Sequence, residues 1–153
     1  MVYTIPGVGD MEIRTIVLDL NGTLSVHGNI VEWVPERLNK LRELGFEIVL
    51  FTGDQRGNGQ SLCDELGIGF KKAKSLEDKE KYFLEYDPET TAAIGNARID
   101  IGKFRHAKLS IATLQSEGIH IGILEYVDII VPNICDALDL FLDPDALIAT
   151  MRI

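Results

Sequence analysis

Short apolar runs that alternate with helical patterns are the feature that most limits what this chain can fold into. Residues 13–20 form a β-branched, almost continuously apolar run, and Glu47–Thr52 and Thr91–Gly95 repeat the pattern. Such runs are typical of strands that are covered on both faces in a parallel sheet. Leucines at helical spacing lie between them. The alternation predicts an α/β fold, an open, doubly wound, mostly parallel sheet with helices on both faces.

The remaining elements are predicted from the same periodicities and from the turn residues that flank them. Further strands are expected at 69–72, 108–112, 119–124 and 127–131, and helices at 35–44, 59–66, 76–86 and 134–142. Residues 1–12 predict an extended lead-in or a hairpin, and a second small hairpin or turn is expected at 26–33.

Length and composition predict a single folded domain spanning residues 1–153. Hydrophobic residues make up 46% of the chain and charged residues 25%, which is an ordinary globular composition. The formal net charge of -9 repels nucleic acid phosphates and anionic membrane surfaces, so neither is expected as a general partner. The sequence has no long apolar run and no basic leader, and we therefore expect a cytoplasmic protein without a membrane span.

The cysteines and histidines do not indicate a site of their own. Cys63 and Cys135 each lie in an apolar helical pattern and are predicted to be buried thiols. The three histidines show no ligand spacing to one another or to cysteine, which argues against a zinc site.

Polar residues follow the predicted buried strands, at the point where each strand ends. In an open α/β sheet the carboxyl ends of the strands share one edge, where ligands bind. We therefore expect one cleft that gathers these residues, which are Asp19, Asn21, Thr23, Thr52, Asp54, Asn96 and Asp100. Carboxylates in such a cleft favour Mg²⁺, which prefers oxygen ligands and keeps several waters.

Four short motifs at these positions resemble those of the haloacid dehalogenase superfamily of phosphatases and phosphotransferases. Asp19-Leu-Asn-Gly-Thr-Leu resembles the first motif, Thr52-Gly-Asp the second, Lys79 the third, and Gly95-Asn-Ala-Arg-Ile-Asp100 the fourth. They occur in family order. Each motif alone is weak, whereas four in order are a specific signal.

Within that superfamily, the chain is most similar to the phosphorylation domain of P-type ATPases and to their soluble relatives. Too few residues separate Thr23 from Thr52, and Asp54 from Lys79, for a nucleotide-binding insert. The resemblance therefore implies a capless phosphatase core. Its implied activity is Mg²⁺-dependent hydrolysis of phosphoric monoesters through an aspartyl-phosphate.

The resemblance also implies a role for each matching residue. Asp19 would be the nucleophile, Thr52 a hydroxyl donor to the phosphate, and Lys79 the cation that holds phosphate and nucleophile together. Gly22 would permit the tight turn after the nucleophile, and Gly53 would let backbone N–H groups approach the phosphate.

The implied Mg²⁺ site is formed by residues of the first and the fourth motif. Its residues would be Asp19, the backbone carbonyl of Asn21, Asn96 and Asp100, with Asp100 positioning the metal or one of its waters. The family usually carries aspartate at the positions of Asn21 and Asn96. Because an amide neither protonates a leaving group nor activates water, we expect slow hydrolysis, and the lost charge at Asn96 should weaken Mg²⁺ affinity.

Several alternatives stay open from the sequence. The motif lysine competes with neighbouring lysines, which are Lys71, Lys72, Lys74 and Lys81. Arg56 and Arg98 are candidate substrate contacts or ordinary surface charges. The rival function is a regulatory module that binds phosphate or Mg²⁺ without turnover, of which a receiver domain is a variant. The substrate is expected to be a phosphorylated small molecule or macromolecule, and a capless site predicts a homo-oligomer or a macromolecular partner.

Overall fold

The computed structural model describes residues 1–153 and is built around a six-stranded, fully parallel sheet. The strands, numbered in chain order with those of two small hairpins, are β1 Val2–Ile5, β2 Gly9–Glu12, β3 Thr15–Asp19, β4 Ser25–Val26, β5 Asn29–Ile30, β6 Glu47–Thr52, β7 Gly69–Lys72, β8 Thr91–Gly95, β9 Leu109–Thr113 and β10 Ile129–Val131. The helices are α1 Val34–Glu43, α2 Gly59–Leu66, α3 Leu76–Phe83, α4 Ile101–Phe104, α5 Ile134–Leu142 and α6 Pro144–Met151. No helix is long and apolar enough to cross a bilayer.

The strand order β10-β9-β8-β3-β6-β7 places β3 in the middle of the sheet. Asp19 pairs with Phe51 of β6, and Leu18 pairs with Ile94 of β8. Since all six strands are parallel, their carboxyl ends lie along one edge. Asp19, at the carboxyl end of β3, therefore lies between the carboxyl ends of β8 and β6.

Alternate residues of the central strands point into two separate cores. Ile16 and Leu18 join the larger cluster, which includes residues of α1, α2, α5 and α6. Val17 joins the smaller cluster with Phe83 of α3 and Phe104 of α4. Helices thus cover both faces, and the predicted doubly wound α/β fold is confirmed. The β1–β2 hairpin adds Tyr3, which is fully buried and donates to the carbonyl of Phe141 at 3.4 Å.

Most predicted elements are present, and the differences have local causes. The strand predicted at 119–124 is wrong, because this segment is a 3₁₀ turn over Ile121–Ile123 in which the imidazole Nδ1 of His120 accepts from the backbone N–H of Gly122. Helix α3 ends at Phe83 rather than at residue 86. Helix α6 was not predicted, since Pro144 reads as a stop after α5, yet proline also suits the first turn of a new helix. Cys63 is buried as predicted, whereas Cys135 is only half-buried.

Helices α3 and α4 pack closely through Gly102. A β-carbon at this position would collide with the backbone carbonyl of Leu76 and lie 3.0 Å from the backbone nitrogen of Glu80. Backbone atoms cannot move aside as a flexible side chain would. The absence of a side chain at residue 102 thus sets the distance between the two helices.

Replacing Gly102 by alanine should therefore lower the free energy of unfolding by about 2 to 3 kcal/mol, because overpacking must displace one helix. Urea denaturation followed by circular dichroism measures the change. Lys81→Ala, on the exposed side of α3, serves as control and should stay within about 0.5 kcal/mol of the parent. A Gly102→Ala protein as stable as the parent would contradict the close packing.

Candidate active site

Three of the predicted site residues meet beneath the carboxyl edge of the sheet. The ammonium of Lys79 donates to Asp19 Oδ1 at 3.0 Å and to Asp100 Oδ1 at 2.7 Å. All three residues are buried. The arrangement brings together the end of β3, a residue one turn into α3, and the residue that directly precedes α4.

Local structure explains why Lys79, among five candidate lysines, reaches this position. The hydroxyl of Ser75 accepts from the backbone N–H of Asp78 and caps α3 at its amino end, so Lys79 faces the sheet one turn later. Lys71 instead pairs with Glu85 at 3.0 Å. Lys81 lies on the exposed side of α3.

Burial and charge act against each other in this cluster. Burial favours the neutral amine of Lys79, but the carboxylates of Asp100 and Asp19 outweigh it and raise the pKa of the lysine above its ordinary value. Burial, together with the charge of Asp100, raises the pKa of Asp19. Lys79 is therefore a permanent cation, and the ionised form of Asp19 depends on the cations around it.

Asp100 is the most heavily bonded carboxylate of the site. Its Oδ2 accepts from the backbone N–H groups of Asn96 at 3.0 Å and Ala97 at 2.9 Å, while Oδ1 accepts from Lys79. Lys103, also fully buried, lies 3.3 Å from the same Oδ1. Burial would raise the pKa of Asp100, but Lys103 and Lys79 together hold it well below its usual range.

Lys103 was missed by the sequence analysis. It is fully buried and lies one helical turn after Asp100, in helix α4, and its ammonium also donates to the carbonyl of Ile94 at 2.7 Å. The spacing of three residues from the carboxylate was the available signal, because side chains at i and i+3 are neighbours on a helix.

A small cavity opens above Asp19. It has a volume of about 150 Å³ and is lined by Asp19, Asn21, Thr52, Gly53, Gln55, Lys74, Lys79, Ala97 and Ile99. Oδ2 of Asp19 makes no hydrogen bond, and neither does the backbone N–H of Gly53. The volume is below that of sites for drug-sized ligands. The cavity thus offers one free carboxylate oxygen, a lysine and unused donors to a small anionic group.

A second cavity of about 440 Å³ adjoins the first and shares Asn21, Thr52 and Gln55 with it. Only three of its thirteen lining residues are hydrophobic. The β4–β5 hairpin and the loop after β6 form its walls, and the guanidinium of Arg56 from that loop packs against Gly28. Asp54 lines this cavity, whereas Arg98 lines neither.

The last residue of β9 and the residues that follow the strand hold the loop after Asp19. The hydroxyl of Thr113 donates to the carbonyl of Gly22 at 2.9 Å, and the amide of Gln115 donates to the carbonyl of Thr23 at 2.7 Å. A carboxylate oxygen of Glu117 accepts from the backbone N–H of Gly22 at 3.1 Å. Gly22 itself has a φ of 74°, which favours glycine. The sequence analysis singled out the polar tips of three strands, β3, β6 and β8, and did not include this fourth one.

Three of the four predicted metal ligands carry an oxygen that makes no hydrogen bond. Oδ1 of Asn96 is buried without a hydrogen-bond partner, and its side chain packs against Gly22. The backbone carbonyl of Asn21 accepts no hydrogen bond. No group of three or more acidic, histidine or cysteine residues is placed to hold a metal. With both oxygens of Asp100 already bonded, the free oxygens belong to Asp19, Asn21 and Asn96.

The sheet order and the helices on both faces give residues 1–153 an α/β fold that is also found in haloacid dehalogenase-like proteins. Comparison with known proteins agrees. The deoxy-D-mannose-octulosonate 8-phosphate phosphatase of Haemophilus influenzae, solved with cobalt, superposes with a TM-score of 0.74 at 17% identity, over 93% of this chain and 94% of that one. The Moraxella catarrhalis enzyme of the same name, solved with a magnesium ion, phosphate and KDO, gives 0.70 at 20% identity, over 92% and 94%.

In sequence, the chain is similar to a soluble P-type ATPase-like phosphatase of Methanocaldococcus jannaschii, with 23% identity over 133 residues. The match covers 84% of this chain and 49% of the relative, so the chain spans about half the length of that protein. No family model matches the chain. The resemblance predicted from the four motifs is confirmed at the level of fold and of this relative.

Replacing Asp100 by asparagine should lower the free energy of unfolding at pH 7 by about 3 kcal/mol, because two buried lysines lose their shared carboxylate. Since the folded pKa of Asp100 is depressed, its contribution is present above the unfolded pKa of about 4 and is lost as pH falls below it. Urea denaturation at pH 7, 4 and 3 should therefore show the difference from the parent shrinking.

The exposed Glu125 supplies the control, since Glu125→Gln should track the parent at every pH. A deficit in Asp100→Asn that stays constant between pH 7 and pH 3 would show that its charge does not stabilise the fold.

Proposed function

We propose that this chain is a Mg²⁺-dependent phosphoric monoester hydrolase that acts through an aspartyl-phosphate on Asp19 and hydrolyses that intermediate slowly. The observation that carries the proposal is the position of Lys79, which bridges Asp19 and Asp100, while Oδ2 of Asp19, a residue that lines the smaller cavity, makes no hydrogen bond. Such an oxygen beside a permanent cation is placed to attack an electrophilic phosphorus.

The two adjoining cavities suggest how a substrate would lie. The phosphoryl group would enter the 150 Å³ cavity, where the hydroxyl of Thr52 and the N–H of Gly53 donate to its oxygens. The leaving group would extend into the 440 Å³ cavity. Because that cavity is mostly polar, a polar leaving group such as a polyol fits it better than an apolar one.

The chain's own residues then account for both steps. Oδ2 of Asp19 forms a bond to phosphorus as the bond to the leaving oxygen breaks, and that oxygen takes a proton from solvent. Lys79 holds the nucleophile and the phosphoryl oxygens together throughout. Water then attacks phosphorus and the bond to Asp19 breaks, which releases phosphate. Mg²⁺, held by Asp19, Asn21 and Asn96, would offset the negative charge that otherwise keeps phosphate from a carboxylate.

Asn21 is the reason to expect a slow second step. A carboxyl placed beside the leaving oxygen typically contributes 10² to 10⁴-fold by general acid and base catalysis. An amide donates no proton to a leaving group and takes none from water. The phosphoenzyme should therefore form with a reactive donor and persist.

The relatives support the substrate class and the metal. The Moraxella enzyme, which holds a magnesium ion and phosphate in its crystal structure, has the same fold, and the archaeal relative is described as a soluble phosphatase. We extend to this chain the hydrolysis of a phosphorylated small molecule. An oligomer or a macromolecular partner, which would enclose a site without a cap, stays a prediction.

A regulatory module that is phosphorylated without turnover is the second candidate. The two asparagines favour it, because Asn21 removes the acid and base and Asn96 removes one metal-binding charge. The lifetime of the phosphoenzyme separates the two functions. Steady release of phosphate over many turnovers supports the hydrolase, and a single stable phosphorylation supports the module.

Incubation with labelled acetyl phosphate and Mg²⁺ should yield an acid-stable, hydroxylamine-labile phosphoenzyme, which Asp19→Asn abolishes because its amide is not nucleophilic. Excess EDTA should abolish labelling and phosphate release. Acid-quenched filter binding measures the label, and a phosphate release assay measures turnover.

Two further variants extend that experiment. Asp145→Asn replaces an exposed aspartate and is the control, which should label as the parent does. Lys79→Met removes the cation beside the nucleophile and should label at least ten-fold more slowly. Label retained by Asp19→Asn, or full activity in EDTA, contradicts the proposed mechanism.

Restoring a carboxyl by Asn21→Asp should shorten the lifetime of the phosphoenzyme by about ten-fold or more, which corresponds to only about 1.4 kcal/mol of barrier. The gain should stay below the full range because a new carboxylate repels Asp19. Chase of the labelled protein with unlabelled donor at saturating Mg²⁺ measures the lifetime. Equal, rapid decay in both proteins would mean that another group already acts as acid and base.

A further inference from the structure

Lys103 is a buried lysine that the proposed mechanism does not use. Burial lowers the pKa of its ammonium below the ordinary value, and the neighbouring carboxylate of Asp100 acts against this. Its side chain is fully buried, and its ammonium donates to the carbonyl of Ile94 at 2.7 Å and lies 3.3 Å from Asp100 Oδ1. Removing an ammonium from water is energetically costly even after the protein relaxes around it. A methionine would fill similar space without that cost, so packing alone does not account for a lysine at this position.

The partner of Lys103 is a carboxylate that is already saturated. The two oxygens of Asp100 accept from two backbone N–H groups and lie within ion-pair distance of two ammonium groups. An ionised carboxylate has about four lone-pair sites. Three of these sites accept hydrogen bonds and Lys103 lies 3.3 Å from Oδ1, so the bonds of Asp100 hold it and its neighbours in place.

The charges of the cluster balance only when Lys103 is counted. Two buried carboxylates, Asp19 and Asp100, face two buried ammonium groups, Lys79 and Lys103. Without Lys103, a single ammonium would serve both carboxylates. Lys79 is already closer to Asp100, at 2.7 Å, than to Asp19, at 3.0 Å. In a water-poor interior such competition is strong, since charges interact more strongly than in water.

We infer that Lys103 is a positioning residue that neutralises Asp100 and thereby leaves Lys79 available to Asp19 and to the transferred phosphoryl group. Lys103 does not touch the cavity that would hold the phosphoryl group, whereas Lys79 lines it. Its effect on the reaction is therefore transmitted through Asp100 and Lys79. The functional part of this inference rests on the proposed phosphorylation of Asp19.

A double-mutant cycle on the rate of labelling by acetyl phosphate tests the inference. Lys103→Met in the parent should slow labelling at saturating donor by about ten-fold. In an Asp100→Asn background, where no charge remains to neutralise, the same Lys103→Met change should alter the rate by less than about two-fold. A lysine that acted directly on phosphate would cost the same factor in both backgrounds. Lys81→Met, on the exposed side of α3, should leave the rate unchanged.

Crystal structures provide a readout that needs no activity. In Lys103→Met the ammonium of Lys79 should keep its bond to Asp100 and move out of hydrogen-bonding distance of Asp19 Oδ1. In the Asp100→Asn background, Lys103→Met should leave the contact between Lys79 and Asp19 in place. The proteins with Asp100→Asn, with and without Lys103→Met, carry no buried carboxylate at residue 100 that would lose a partner. Their structures therefore test the inference even if Lys103→Met alone does not fold, since a lost contact between Lys79 and Asp19 in the double variant would contradict it.

The outcomes separate the inference from the proposed function. A parent protein that takes no label removes the proposed function, while the crystal structures still decide the role of Lys103. Parent-like labelling by folded Lys103→Met, an equal loss of rate in both backgrounds, or an unchanged distance between Lys79 and Asp19 would each overturn the inference.

Discussion

The ammonium of Lys79, buried between two carboxylates, is the interaction on which the rest of the site depends. It joins three elements that are distant in sequence, the central strand β3, helix α3 and the start of α4. A buried ammonium needs compensating charges, and buried carboxylates need donors. Without Lys79, the carboxylate of Asp19 would lose its hydrogen-bond donor, and Asp100 would keep only Lys103 and two backbone N–H groups. The packing of α3 against α4 through Gly102 therefore stabilises the fold and also holds Lys79 beside Asp100.

The sequence predicted the parts of this arrangement that follow from a repeated rule. Strands β3, β6 and β8 are runs of apolar residues because both of their faces are covered by helices, and such runs are visible without a structure. Their polar tips share an edge because the strands are parallel. Asp19, Thr52 and Asp100 could thus be assigned to one cleft, and the family order of the motifs then placed Lys79 beside them.

Features that depend on tertiary context were not predicted. Lys103 stands in a lysine- and arginine-containing stretch that looks like a solvated helix face, and only the packing of α4 under the sheet shows that it is buried. Gln115 and Thr113 reach the nucleophile loop across a large gap in sequence. The failed strand at 119–124 has the composition of a strand but no neighbour to pair with. A local sequence pattern indicates only the propensity of a segment to form a strand, whereas packing and pairing with neighbouring segments decide whether the strand forms.

The attachment of the nucleophile loop to the segment after β9 restricts how this protein can change during evolution. Exposed loops ordinarily accept insertions and deletions, because few buried contacts depend on their length. The segment at 113–118 is different, since Thr113, Gln115 and Glu117 each bond the backbone of Gly22 or Thr23. A change in its length would displace the turn that aims Asp19. Relatives that share this chemistry should therefore vary in the residues of that segment more readily than in its length.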